Sequence, residues 1–268
     1  VTAATESVLA PRAMPGATVR RVASALWSVR VTTVYASLII AASVGLSQLS
    51  DSAQDRFLLL ASTNLHNLTH GHVGTLIVSA FVTDGGATWV WLPGLVCLLA
   101  VAEIVWQSRK LFALFALGHI GATLLVAVGL FFAVRHGSVP MSVVRAEDVG
   151  VSYGAAAVIG ALTWALPRAY RAPWAAMWFA VTLTAVAVDH DFTAVGHLTA
   201  VTLGMLAAYR WIRPSAAVPR EYNKVALRTL LAVGTVFALA EVGWQEYWWT
   251  VPIVAATAAT LTYRLTRA

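Results

Sequence analysis

Apolar stretches long enough to cross a bilayer as a helix, about 17 to 25 residues each, recur along the whole chain. They fall at about 31–49, 88–106, 111–134, 150–166, 173–188, 193–212, 225–242 and 248–264, separated by short clusters of Arg, Asp, Gly and Pro. The pattern predicts an all-α polytopic membrane protein of about eight transmembrane helices. One polar interval is longer than the rest. From Asp51 to Ala87 it contains "FLLLASTNLHNLTHGHVGTLIVSAFV", apolar enough to lie in the membrane interface and too interrupted to span, which predicts a half-embedded lid.

Composition supports this reading. The chain is 59% hydrophobic and 11% charged, against about 25% charged in a soluble domain. Fifteen of its Lys and Arg residues lie in the N-terminal tail and in 107–110, 167–173, 209–228 and 264–268, while the alternate connections hold only Arg56, Arg135 and Arg145. By the positive-inside rule both termini are expected to be cytoplasmic, in a plasma-membrane protein whose segments 50–87, 135–149, 189–192 and 243–247 face outward. The net charge of +6 then reports orientation, and no nucleic-acid partner is expected. Cys97 is the only cysteine, so neither a disulfide framework nor a cysteine-rich metal site is expected. Residues 1–24 lack a signal-peptide pattern and predict a disordered cytoplasmic tail. Sixteen Arg against two Lys and an initial Val suggest a GC-rich bacterial gene.

Small residues recur four apart as Ser152, Ala156, Gly160 and as Gly196, Ala200, Gly204, a spacing that lets spans four and six approach closely. Ionisable and nucleophilic groups at membrane depth are the place to seek chemistry. Gly150-Val151-Ser152-Tyr153-Gly154 has the spacing of a soluble nucleophile elbow, but membrane spans flank it where that motif needs a strand and a sheet. Ser152 is placed about two residues inside span four and His197 about one turn inside span six, at similar depth. His119, roughly 20 Å from the outer boundary, is expected to be out of reach. A serine nucleophile needs an adjacent base, and His197 is the candidate. The plainer reading has Ser152 packing or capping a helix and His197 bonding a backbone carbonyl. His66, His70 and His72 raise a metal site against the alternative of solvated interface histidines, and no metal or other cofactor is expected. Asp191 is expected to cap span six rather than orient His197, with Asp189 in the same short turn, and Glu103 to pair with Arg109 or Lys110.

Taken together, Gly150-Val151-Ser152, "GHLTAVTLG" at 196–204, Glu103 ahead of "VWQSRKLFALFALG" and the long first outward segment resemble the rhomboid family of intramembrane serine proteases over about residues 25–213. The resemblance implies a six-helix core at 25–213 followed by a two-helix hairpin at 214–268. It also implies a catalytic pair of Ser152 and His197, structural roles for Glu103, Gly154, Gly196 and Gly204, and a transmembrane protein as substrate, cut near the outer face. Gly150 and Tyr153 would border the oxyanion pocket. Two departures stand out. Tyr153 follows the serine where the family has Gly, and Ala87 and Trp91 occupy the places of a His and an Asn that help bind the oxyanion. Losing one such donor costs about 10²- to 10³-fold in rate. The backbone N–H of Ser152 would remain, and Asn64, His66, Asn67 or His70 from the lid are the available substitutes. The alternative is a catalytically inactive relative that uses the same cavity to bind a partner's transmembrane segment.

Overall fold

The computed structural model describes residues 23–83, 88–211, 224–242 and 250–266. The described residues are helical, with no strand among them. Most of the tail 1–24, residues 243–247 and Ala87 lie outside them. Four helices are long and apolar enough to cross a membrane: α1 (Arg30–Ser47), α5 (Thr88–Arg135), α7 (Arg168–Asp189) and α8 (Phe192–Trp211). Between α1 and α5 lie the lid helices α2 (Asp51–Ala61), α3 (Leu65–Thr69) and α4 (Thr75–Val78), followed by a 3₁₀ turn at Ser79–Phe81. The shorter α6 is Ser152–Leu162, and α9 (Lys224–Val242) and α10 (Thr250–Leu265) close the chain. This is a polytopic helical bundle.

Helix α5 carries both the second and the third expected span. Its 48 residues would rise about 72 Å if straight, more than twice the roughly 30 Å of a hydrocarbon core. It breaks at Gln107, where φ is 69°, a region that disrupts a right-handed helix. The break is fixed by a carboxylate. Glu103, 2% exposed, accepts hydrogen bonds from the backbone N–H of Val31 (2.9 Å) and Thr32 (2.8 Å), from the Thr32 hydroxyl (2.8 Å) and from the Ser108 hydroxyl (2.7 Å). It therefore caps the start of α1, satisfying amides that have no intrahelical partner. The expected pairing with Arg109 or Lys110 does not form, because both cations are exposed on the other side of the break.

Helix α6 is shorter than the expected span 150–166. It starts after Gly150, whose φ of 119° only glycine adopts without strain, and gives way at Thr163–Ala165 to i→i−3 bonds ahead of Pro167. All its residues from Ala156 to Leu162 are buried, so it forms the axis of the bundle. The small-residue stripes meet here. A Cβ on Gly160 would overlap the carbonyl oxygen of Val201, and one on Gly204 the carbonyl oxygen of Ala157, so α6 and α8 touch backbone to backbone. Gly154 makes room for the Phe115 ring in the same way.

The two C-terminal helices follow one another as expected, and each packs on the core rather than on the other. Helix α9 lies on the first half of α5, and α10 lies on α7, where Tyr263 stacks on Tyr170 at 5.9 Å.

Candidate functional site

The backbone leading into Ser152 is held by the lid at two places. Thr63 donates both its N–H and its hydroxyl to the carbonyl oxygen of Asp148 (2.9 Å each). The same hydroxyl reaches the Asp148 carboxylate at 3.0 Å, while Asp148 N–H donates to the Ser62 hydroxyl at 2.8 Å. Two residues on, Gly150 N–H donates to the carbonyl oxygen of Ser79 at 2.9 Å. The Ser79 hydroxyl lies 3.1 Å from Nε2 of His119. Ser62 and Ser79 are fully buried, so these bonds form out of water, where an unpaired polar group costs most. Burial pushes the Asp148 carboxyl up to about 6, against the Thr63 hydroxyl and with help from the charge of Asp191.

Beyond this anchored segment, Ser152 and His197 line one cavity of about 450 Å³. Its walls come from α5, α6, α7, α8 and α9, including Trp91, Trp178 and Thr182 as well as Gly150, Asp189 and Asp191. Both side chains are half-buried and accessible from the cavity. Among the described residues, no hydrogen bond joins the Ser152 hydroxyl to the His197 ring. Tyr153 meets His197 edge to face, with ring centroids 5.3 Å apart, and Gly196 leaves the space in which the tyrosine sits. Ser152 opens α6, so the first amides of that helix lack intrahelical acceptors.

The lid residues named from sequence are placed elsewhere. The Asn64 carboxamide oxygen accepts from Asn67 N–H at 2.9 Å, capping α3. Asn67 donates to the carbonyl oxygens of Leu59 and Ser62 at 2.8 Å each. Neither asparagine lines the Ser152 cavity. The His66 and His70 rings lie 4.2 Å apart, tilted by 45°, on the lid and also away from the cavity, with Nδ1 of His70 2.8 Å from the carbonyl oxygen of His66. The His66 ring is held below the usual imidazole range, first by desolvation and then by Arg145, His70 and His72. Among the described residues no trio of His, Cys, Asp or Glu is grouped to hold a metal ion. Asp191 immediately precedes α8 and lines the cavity beside Asp189.

His119 meets the lid at Ser79, whose carbonyl accepts the Gly150 N–H, and it does not line the Ser152 cavity. Sequence reasoning missed Asp148, Ser62, Thr63 and Ser79 altogether. The only available signal was Asp148 two residues before a glycine that opens an apolar helix.

A membrane-embedded helical bundle with a serine and a histidine facing one cavity defines the class of the molecule. The family model described as "Rhomboid-like protein" matches residues 24–218, and the chain belongs to that family. No curated protein and no solved structure matches the chain.

Proposed function

We propose that this rhomboid-like protein is an intramembrane serine protease acting through Ser152 and His197. One observation carries the reading: a hydroxyl and an imidazole from helices distant in sequence line the same cavity at the lid end of the bundle. In this reaction His197 takes the proton as Ser152 Oγ attacks a peptide carbonyl, then returns it to the leaving amine. Water repeats the sequence on the acyl-enzyme. The pair is not hydrogen-bonded in the resting chain, so its closure belongs to the substrate complex. Tyr153, packed on His197 and seated against Gly196, limits the ring's rotation.

The developing oxyanion has the opening amides of α6 as donors, including Ser152 N–H. Trp91 brings no carboxamide to the cavity, and Asn64 and Asn67 are committed to the lid. A turnover reduced by about 10²-fold or more relative to a site with a side-chain donor is the expected consequence. The substrate is a transmembrane segment that unwinds near the lid end, because a regular helix keeps its carbonyls in internal hydrogen bonds. Charge placement supports a plasma-membrane orientation with the lid outward and both termini cytoplasmic.

A soluble fluorophosphonate should label the purified protein and fail on Ser152→Ala. Labelling that survives the substitution removes the protease reading. The absence of a side-chain oxyanion donor favours a second reading, a noncatalytic cavity that holds a partner's transmembrane segment. That reading expects no labelling of Ser152, and co-purification of an intact partner with both the wild type and the Ser152→Ala, His197→Ala variant.

A further inference from the structure

We propose that two carboxylates at the rim of the Ser152 cavity, Asp189 and Asp191, select a transmembrane segment that carries Lys or Arg at its lid-side end. The inference rests on the proposed function for the fate of that segment, and it names the class of partner the cavity takes.

The cavity is acidic at one end and apolar at the other. Trp178, Thr182, Ala185 and Asp189 line it from α7 at i, i+4, i+7 and i+11, so one face of that helix runs along it for about 16 Å. Asp189 closes α7, His190 ends the helix with a left-handed φ of 50°, and Asp191 follows directly before α8. Deeper along their own helices, Leu98, Ile159 and Val201 make the walls apolar. One donor on the deep wall is unmet. The indole N–H of Trp178, a residue 2% exposed, has no hydrogen-bond partner among the described residues. A main-chain carbonyl freed when an incoming segment unwinds would meet it.

No cation of the chain offsets the rim. Among the described residues, no Lys or Arg lines the cavity. The three cations on the lid side are placed elsewhere: Arg56 is exposed on α2, Arg135 lies over the Phe131 ring at 5.7 Å, and Arg145 acts by its charge on His66. The charge of Asp191 in turn reaches both the Asp148 carboxyl and the His197 ring, so the negative field extends over the reacting groups. Carboxylates at the edge of an apolar wall gain most from a cation that arrives on an apolar stem. Lys and Arg have that form, with the stem along the wall and the head at the rim. Basic residues at the outward end of a span are uncommon, because the positive-inside rule places them at the cytoplasmic end. With the lid outward, the rim favours a narrow class of segments and passes over most others.

The test uses the full chain in detergent micelles with three synthetic Ala/Leu transmembrane peptides. At one end of the apolar run they carry two lysines, two acetyl-lysines or two glutamates, with a fluorophore and quencher across that end and a diazirine beside it. Acetylation removes the charge and keeps the stem. Wild type should cleave the lysine peptide with a kcat/KM about tenfold or more above that of the acetyl-lysine peptide, as expected for one charge-assisted bond, and the glutamate peptide slowest. Asp189→Asn with Asp191→Asn should bring the lysine to acetyl-lysine ratio near one, and Asp189→Lys with Asp191→Lys should put the glutamate peptide first. A ratio near one in wild type overturns the proposal, as does a wild-type ratio that survives both replacements. Where these variants do not fold, the diazirine decides in wild type: attachment of the lysine peptide outside residues 149–156 and 189–197 overturns it. Photoattachment to Ser152→Ala keeps the two ideas apart. Lysine-dependent attachment without cleavage or fluorophosphonate labelling removes the protease and retains the acidic rim, whereas cleavage with no lysine preference removes the rim and retains the protease.

Discussion

At Asp148, one residue does three jobs with three different atoms: its N–H takes Ser62, its carbonyl takes Thr63 twice, and its carboxylate shares the Thr63 hydroxyl. The carboxyl is also held above its ordinary value by burial, up to about 6. A raised carboxyl binds its proton more tightly in the folded protein than in the unfolded chain. Its contribution to stability is therefore present below the ordinary carboxylate value of about 4 and is lost as pH rises through about 6. Asp148→Asn, which keeps an acceptor for Thr63 without the charge, should gain on wild type in thermal melting as pH rises from 4.5 to 7.5. A difference that stays flat across that window would contradict it. None of this was legible in the sequence, because the partners of Asp148 come from the lid and are mostly main-chain groups. That Ser152 and His197 lie close enough to line one cavity was legible, because depth along an apolar span is a local property. Asn64 and Asn67 were misassigned because a polar residue near a site reads the same whether it serves the site or the loop that carries it.

Among the elements, the cap that ties the start of α1 to α5 comes from a single side chain. Glu103→Ala removes the acceptor for two backbone amides and two hydroxyls at once, leaving buried donors unmet. The expected loss is about 3 kcal/mol, whereas Ser108→Ala, which deletes one bond and leaves the cap intact, should cost about 1 kcal/mol. Unfolding in graded denaturing detergent would separate the two; equal losses would mean that the cap contributes nothing special. Sequence pattern found these helices and missed their limits. Apolar composition continues through Leu166, yet α6 ends at Leu162, because hydropathy carries no information about the approach to Pro167. Gln107 likewise breaks α5 without any proline or glycine to announce it. Glu103 was assigned to its sequence neighbours Arg109 and Lys110, since a helix terminus seventy residues away is invisible until the fold is closed.

For the molecule as a whole, the recurring apolar stretches made the polytopic architecture readable before any helix was placed, and the distribution of Arg and Lys between them bears on its orientation. The same distribution predicts which side each end faces. In a Cys97→Ala background, His70→Cys on the lid should react with a membrane-impermeant maleimide added to intact cells. Gln107→Cys, exposed at the break in α5, should react only after permeabilisation. The reverse result would invert the protein in its membrane and put the cavity on the other face. What the sequence could not supply was the arrangement of α9 and α10, which follow one another along the chain and attach to different parts of the core.

The brevity of α6 has one last consequence. Eleven residues rise about 16 Å, roughly half of a hydrocarbon slab, and the backbone ahead of them is not helical. Non-helical backbone at that depth survives only inside protein or against solvent, which here is the work of the lid. The lid thus does for the chain ahead of the serine what a continuing helix would otherwise do, meeting its main-chain donors and acceptors with Ser62, Thr63 and Ser79.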